Sequence, residues 1–155
     1  MVLRSAFDSS LIATEVGGMR TVVCANGKWL HKTGLPRHPR DLIGQPCVGF
    51  PTLRGRPWRF REEGADFAVP VTGRLEFNQA EAAVEACVAG QGYGRFFLYQ
   101  VQQALSEKRL RLVLEPFEVP PVAVCMLWGG APIISPRLRA MIDWLKPRLT
   151  RSCRQ

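Results

Sequence analysis

Strand-like and helix-like segments alternate along this chain with short connections, and that alternation restricts the folds open to it. Apolar segments of strand length are separated by stretches with helical spacing; the strand-like segments cover residues 11–16, 20–25, 46–50, 93–97, 110–114 and 122–128. Such alternation is typical of layered α/β folds, in which helices cover the faces of a sheet. The 155 residues suffice for one such domain.

The clearest helix is predicted over residues 79–89, where small and apolar residues recur on one face. These residues are Ala80, Ala83, Val84, Cys87 and Val88. Asn78 is a good N-cap residue, and Glu81 three positions later completes a pattern like a capping box. Gly90 suits the position after the helix, where a left-handed backbone is common.

The remaining segments are predicted from local signals. We expect Gly17-Gly18 to form the turn between the first two strands, and a short helix over 27–33. Residues 58–61 and 67–77 read as the two strands of a hairpin. A last helix begins at Ser135, with Pro136 in its first turn, and Pro147 is expected to end it.

The formal net charge of +8 raises the question of an acidic partner such as a nucleic acid. Arg54, Arg56, Arg59 and Arg61 are interleaved with Trp58 and Phe60, the only place where cationic and aromatic side chains mix in this way. The same pattern is produced by a solvated strand of a hairpin, which we favour.

Several classes of protein are disfavoured by the sequence. Five cysteines without a CxxC motif indicate a reducing compartment and hence the cytoplasm, and neither a signal peptide nor a membrane span is recognised. His31 and His38 are too far apart for a metal pair on one helical face, so no metal or other cofactor is expected. There is no GxSxG motif, and Glu62-Glu63 falls at a predicted hairpin tip, so we do not expect an enzyme.

A collinear series of short motifs covers nearly the whole chain. It includes Ser9-Ser-Leu-Ile-Ala13, Arg20-Thr-Val-Val-Cys-Ala25, Gly34-Leu-Pro36, His38-Pro-Arg-Asp-Leu42, Trp58-Arg-Phe60, Val71-Thr-Gly73-Arg-Leu75, Ala89-Gly-Gln-Gly92 and the segment from Ser135 to Leu145. Each motif is weak alone, but their order resembles that of the effector (substrate)-binding domain of LysR-type transcriptional regulators, over its C-terminal half.

The resemblance implies an α/β fold like that of type 2 periplasmic binding proteins, with two lobes joined by two crossover strands and a ligand in the cleft between them. A partial domain over 1–150 would then contain a crossover strand (1–16), a complete second lobe (about 17–128) and a returning first-lobe helix (about 135–147), followed by a tail at 151–155. Most of the first lobe and the winged helix-turn-helix have no counterpart in this sequence, so DNA would be contacted only through a domain absent from this chain.

The predicted effector site combines local signals with the resemblance. Asn78 and Gln79 open the best helix, whose free N–H groups favour an anion, although simple capping explains them equally well. Gly49, Phe50 and Pro51 follow a strand end of the kind that borders ligands in open α/β sheets. Tyr93 is a candidate to face the cleft, and Arg4, near the expected hinge, is a candidate to pair with a ligand carboxylate.

The sequence therefore predicts the effector-binding and oligomerisation part of a regulator, taking a small carboxylate or aromatic metabolite and assembling with copies of itself. The helix stripe at 138–145 would lose its sheet partner if half of the domain were missing, so we expect it to fold back, dock on another copy or be mobile. Two alternatives stay open: a truncated, non-sensing remnant that acts only by co-assembly, and a basic nucleic-acid-binding module.

Overall fold

The computed structural model describes residues 11–49, 57–129 and 135–152, and it confirms an α/β fold. The strands are β1 (Leu11–Met19), β2 (Thr21–Asn26), β3 (Cys47–Gly49), β4 (Trp58–Glu62), β5 (Ala65–Val69), β6 (Gly73–Glu76), β7 (Tyr93–Phe97), β8 (Leu110–Val113) and β9 (Val122–Gly129). The helices are α1 (Gly27–Thr33), α2 (Ala80–Val88), α3 (Leu98–Ser106) and α4 (Pro136–Ser152), with short 3-10 turns at Pro39–Leu42 and Glu115–Phe117.

The chain divides into two compact units. We call Arg20–Pro120 the sheet unit, and Met1–Met19 together with Pro121–Gln155 the ribbon unit. The sequence placed the strand at 122–128 within the second lobe, whereas in the structure β9 pairs with β1 and belongs to the ribbon unit.

The sheet unit is built on five strands in the order β6-β3-β7-β2-β8. Strand β3 runs parallel to both β6 and β7, and β2 is antiparallel to β7 and β8. The carboxyl ends of β6, β3 and β7 therefore meet at one edge of the sheet. We call this the carboxyl edge, and it is where open α/β sheets generally bind ligands.

Two core clusters lie on opposite faces of this sheet, because side chains alternate along a strand. Val22 and Cys24 of β2 pack in a cluster that includes residues of α2 and α3. Val23 and Ala25 belong to the other cluster, which includes Trp58 of the β4–β5 hairpin. Strand β2 is thus buried on both faces, as its continuous apolar sequence suggests.

The hairpin alternates as its sequence predicts, but its second strand is shorter than expected. Trp58 and Phe60 are both 2% exposed, while Arg59 between them is exposed. The single strand predicted over 67–77 is wrong. β5 ends at Val69, since Pro70 has no N–H for the ladder, and β6 joins the five-stranded sheet instead.

Helix α2 ends as predicted and begins differently. Gly90 has φ +77°, and the N–H groups of Gly90 and Gln91 donate to the carbonyls of Cys87 and Ala86, which is a Schellman motif. The predicted N-cap role of Asn78 is wrong: Gln79 is the N-cap, and no side-chain cap bond is formed there. Asn78 stands one residue too early because the preceding backbone is still tied to β3.

The segment between α2 and β7 requires glycine where the backbone passes closest to its neighbour. Gly92 has φ +139°, and a Cβ on it would collide with the Pro46 carbonyl. The same region hydrogen-bonds to that carbonyl, since the Tyr93 N–H donates to the Pro46 oxygen over 3.0 Å. The glycine-rich stretch therefore combines the helix end predicted at Gly90 with a close entry into β7 at Gly92.

The ribbon unit consists of the antiparallel pair β1–β9 and helix α4. The predicted turn at Gly17-Gly18 is wrong: both glycines lie in β1 opposite Val124 and Ala123, after a bulge that leaves buried Val16 unpaired. Ladder bonds from β9 outweigh the local turn preference of the two glycines.

Helix α4 does not end at Pro147 as predicted but continues to Ser152. A proline inside a helix removes one backbone bond and crowds the preceding turn. The carbonyl that loses its helical partner belongs to Asp143, an exposed residue, so water can solvate it.

Candidate functional site

The candidate site lies at the carboxyl edge of the sheet unit and starts from the end of β3. The Phe77 N–H donates to the Gly49 carbonyl over 3.0 Å, directly after Gly49 pairs with Glu76. This bond holds the chain that leads into α2 beside the end of β3. Asn78 and Gln79 follow immediately, and both are exposed.

The amino end of α2 has no side-chain cap. Gln79 adopts an extended backbone (φ −127°, ψ 139°), and its side chain makes no cap bond to the first-turn N–H groups. Uncapped N–H groups and the helix dipole favour an anion at this end. Glu81 in the same turn carries a negative charge, which weakens that preference for a ligand from solution.

Arg95 supplies positive charge at the same edge. Strands β3 and β7 pair through Cys47 with Tyr93 and through Val48 with Gly94, so Gly49 and Arg95 come next on the two strands. Arg95 is 8% exposed, the only buried charged residue among the described residues. Its guanidinium carbon lies 5.8 Å from the centre of the Phe60 ring, at cation–π distance.

Burial strongly affects the electrostatics of Arg95. Desolvation and, to a lesser extent, the nearby charge of Arg59 together lower the pKa of its guanidinium to about 10. The group still carries its full positive charge at neutral pH. An enclosed cation with a cationic neighbour raises the local potential, which favours a negatively charged group.

The structure brings some of the predicted site residues together. Gly49, Asn78 and Gln79 meet at the carboxyl edge. Phe50, Pro51 and Arg4 lie outside the described residues.

Tyr93 lies elsewhere, at the amino end of β7. It is 3% exposed, with its ring edge-on to Trp29 at a centroid distance of 4.7 Å. Burial raises the pKa of the Tyr93 hydroxyl, and a hydrogen bond with the Thr33 side chain opposes that shift. Tyr93 therefore packs in the core at the opposite edge of the sheet from Gln79.

Arg95 was missed by the sequence reasoning, although a signal for it exists. It is the only charged residue in the strand Tyr93–Phe97, between Gly94 and Phe96. A charged side chain within an apolar strand of the central sheet is unusual and points to a specific role. The strand has only five residues, which is too few for the alternation of side chains to show which face of the sheet Arg95 occupies.

Other kinds of site find no support within the part of the chain that the structure describes. It contains no cluster of three or more histidine, cysteine or acidic side chains able to hold a metal ion. None of its helices combines the length and the apolar character needed to cross a membrane.

Comparison with known proteins assigns the family. The family model described as "LysR substrate binding domain" matches residues 2–150. The chain belongs to the LysR substrate-binding domain family. Among curated proteins, an uncharacterised HTH-type transcriptional regulator of Escherichia coli, YcaN, is 28% identical over 90% of this chain, and the probable regulator LtrA of Klebsiella pneumoniae is 30% identical over 82%.

The LysR substrate-binding chain spans less than half of those relatives, 46% of YcaN and 42% of LtrA. Solved structures share its fold: full-length AphB of Vibrio cholerae has a TM-score of 0.80 at 21% identity, covering 92% of this chain and 49% of that one. The CrgA regulatory domain of Neisseria meningitidis has a TM-score of 0.72 at 22% identity, covering 92% of this chain and 70% of that one.

These likenesses confirm the family and the periplasmic-binding-protein-like α/β fold expected from the sequence. The curated relatives are described as transcriptional regulators and not as enzymes. Fold alone does not fix a ligand; the function of the carboxyl edge depends on the residues that border it.

Proposed function

We propose that this chain binds a small-molecule effector at the carboxyl edge of the sheet unit, as part of a LysR-type regulator. The observation that carries the proposal is the bond from the Phe77 N–H to the Gly49 carbonyl. It joins the end of β3 to the start of α2, so that Gly49, Asn78 and Gln79 border one exposed edge. Phe50 and Pro51 continue directly from β3 and belong to the same proposed site.

The proposed effector is a small carboxylate or aromatic metabolite. The uncapped amino end of α2 supplies backbone donors for a carboxylate. The side chains of Asn78 and Gln79 add amide groups that can donate to oxygen or accept from a hydroxyl. Binding would act on regulation only if the ligand interacts differently with two states of the protein.

The proposal is tested by isothermal titration of the full chain with a panel of small carboxylates, including benzoate and succinate. We expect saturable binding, and we expect Gln79→Glu to weaken it at least about threefold, because a second carboxylate repels the ligand at the helix end. Gln91→Glu is the matched control, since Gln91 is exposed at the other end of α2. Absence of binding to the unmodified chain at millimolar ligand would contradict the proposal.

We also propose that the chain self-associates. Helix α4 exposes two large apolar side chains, Met141 at 56% and Trp144 at 57%. Burying such groups stabilises an assembly by roughly 1.5–3 kcal/mol each when burial is complete. Light scattering over a concentration series should show a mass above that of one chain, and Trp144→Glu should lower it, with Arg139→Glu on the same helix as the control. A single-chain mass at all concentrations would exclude self-association.

The alternative of a nucleic-acid-binding module loses its main support. Trp58 and Phe60, which the sequence interleaves with arginines, are buried in the core and present no ring for base stacking. Steep, salt-dependent DNA affinity of this chain at low salt would restore that alternative.

A further inference from the structure

Arg95 carries a positive charge that no described acidic group neutralises. Within residues 11–49, 57–129 and 135–152, the ion pairs involve other cations, and Arg95 has no side-chain hydrogen bond and no carboxylate within 4.0 Å. Its described partner is the face of Phe60. Buried charges in proteins are normally paired or bound to a counter-ion, because desolvation disfavours an isolated charge.

The charges around Arg95 strengthen the case for an external anion. The charged group that acts on it is Arg59, a second cation, which repels it. Glu76, beside Gly49 on the other flank of β3, has an interaction partner of its own. Among the described residues, the buried guanidinium of Arg95 is therefore supported by the Phe60 ring and by no negative charge, so an anion from solution can supply what is missing.

The guanidinium of Arg95 also remains within reach of solvent. Among the described residues, the one fully enclosed side-chain nitrogen or oxygen without a hydrogen-bond partner is Nε1 of Trp128, in the ribbon unit. The unpaired nitrogens of Arg95 are therefore not fully enclosed, although the residue is 8% exposed. The residue is largely buried while its donors retain some exposure to solvent, as a receptor for a small ligand group requires.

We propose that Arg95 is the carboxylate receptor of this chain, holding the acid group of the effector through its guanidinium fork while the Phe60 ring supports the cation from its face. The inference rests on the proposed function, which it deepens by naming the chemical group recognised and the residue that recognises it. A planar carboxylate fits because its two oxygens match two parallel guanidinium N–H donors. Gly49 and Arg95 are the next residues along β3 and β7 after the paired Val48 and Gly94, so Arg95 lies beside the end of β3 where the effector is proposed to bind.

The test compares the unmodified 155-residue chain with Arg95→Met and with Arg111→Met. Arg111 is an exposed arginine on the opposite flank of the same sheet, paired with Ala25, and serves as the matched control. Each protein is titrated calorimetrically with benzoate, succinate and inorganic phosphate at constant ionic strength, and its melting temperature is measured without ligand.

We expect Arg95→Met to weaken benzoate and succinate binding by about tenfold or more, as the loss of a charge-assisted pair implies, while Arg111→Met binds normally. Without ligand, Arg95→Met should melt at the same or a higher temperature, because the variant no longer buries an unpaired charge. Arg95→Lys, which keeps the charge without the fork, should retain only part of the affinity.

Other outcomes overturn the inference in distinguishable ways. Equal carboxylate binding by the wild-type chain and Arg95→Met would leave the proposed function intact and remove Arg95 from it. Phosphate binding as tightly as the carboxylates would replace a carboxylate receptor by a general anion site. A large loss of stability in both Arg95→Met and Arg95→Lys without ligand would show a purely structural role, and no binding to the wild-type chain would refute the proposed function as well.

Discussion

Arg20 and Glu118 form a two-pronged ion pair, with Nε donating to Oε2 and Nη2 donating to Oε1, each over 2.9 Å. These residues stand beside the two points where the chain leaves the sheet unit, Met19–Arg20 and Pro120–Pro121. Paired hydrogen bonds raise the pKa of the Arg20 guanidinium, with Glu118 the main cause. The pair therefore fastens the two exits of the sheet unit to each other.

Removing the charge of Glu118 should measurably weaken the fold. Glu118 is 16% exposed and Arg20 is 40% exposed, so screening by water limits the effect. We expect Glu118→Gln to lower the free energy of unfolding by about 0.5–1 kcal/mol in a urea titration, and the effect to shrink in 1 M salt. Glu115→Gln is the control, because Glu115 is 54% exposed and its bond to Arg20 is 3.4 Å long. An equal loss in both variants would contradict a specific role for the fork.

Gly92 should tolerate no side chain. Gly92→Ala would place a Cβ against the Pro46 carbonyl at a φ of +139°, and the backbone there is fixed by the Tyr93–Pro46 bond. We expect a loss of about 2–4 kcal/mol in denaturant unfolding, as for other strained backbone sites. Gly64→Ala, at φ +83° with no atom within 4 Å, should lose about 1 kcal/mol from the positive φ alone. Similar losses of unfolding free energy in both variants would show that a small backbone shift relieves the collision of the Gly92→Ala side chain with Pro46.

Asp41 should contribute stability that depends on pH. Backbone N–H groups of His38 and Arg37 donate to its carboxylate over 2.9 Å each and lower its pKa. A carboxyl group whose pKa is lowered on folding stabilises the protein above its unfolded pKa, near 3.9, and loses that contribution as pH falls through the folded value. Asp41→Asn should thus be less stable than the wild-type chain at pH 7, and the difference should shrink below about pH 4. Asp143→Asn on α4 is the control, and a difference that persists at pH 2 would contradict this account.

The cysteines should differ sharply in reactivity. Cys24, Cys47 and Cys87 are buried, and burial raises the pKa of Cys24 and Cys47 to about 12, with Cys87 shifted in the same direction. Cys125 is exposed. In a Cys153→Ser background at pH 8, an aromatic disulfide reagent should label Cys125 at once and the buried three only on unfolding, because the thiolate is the reactive form. Rapid labelling of more than one thiol in the folded chain would disprove the expected protection.

Local sequence signals predict the elements whose structure is decided locally. Helix α1 and strand β7 have the predicted bounds, and the Schellman end of α2 at Gly90 follows from its glycine. In each case the local signals favour the structure that tertiary contacts also favour, so the two do not conflict.

The errors occur where a distant partner decides the outcome. Gly17-Gly18 becomes strand because β9 lies alongside, and Asn78 loses its capping position because the Phe77 N–H bonds to Gly49. The strand end at Gly49 was enough to predict a ligand site at the carboxyl edge. The sequence did not predict that Arg95 places a buried positive charge beside that strand end. Its importance depends on which side chains surround it, and sequence spacing does not report that.

The closeness of Arg20 to Glu118 means that the sheet unit can be re-engineered by circular permutation. In sequence, every member of both core clusters lies between Arg20 and Glu118. The two ends of this segment are neighbours in space, because Arg20 and Glu118 are hydrogen-bonded to each other. A short peptide loop could therefore join its ends, and new termini could be opened in the exposed β4–β5 turn at Glu63-Gly64, giving a circular permutant with the same core.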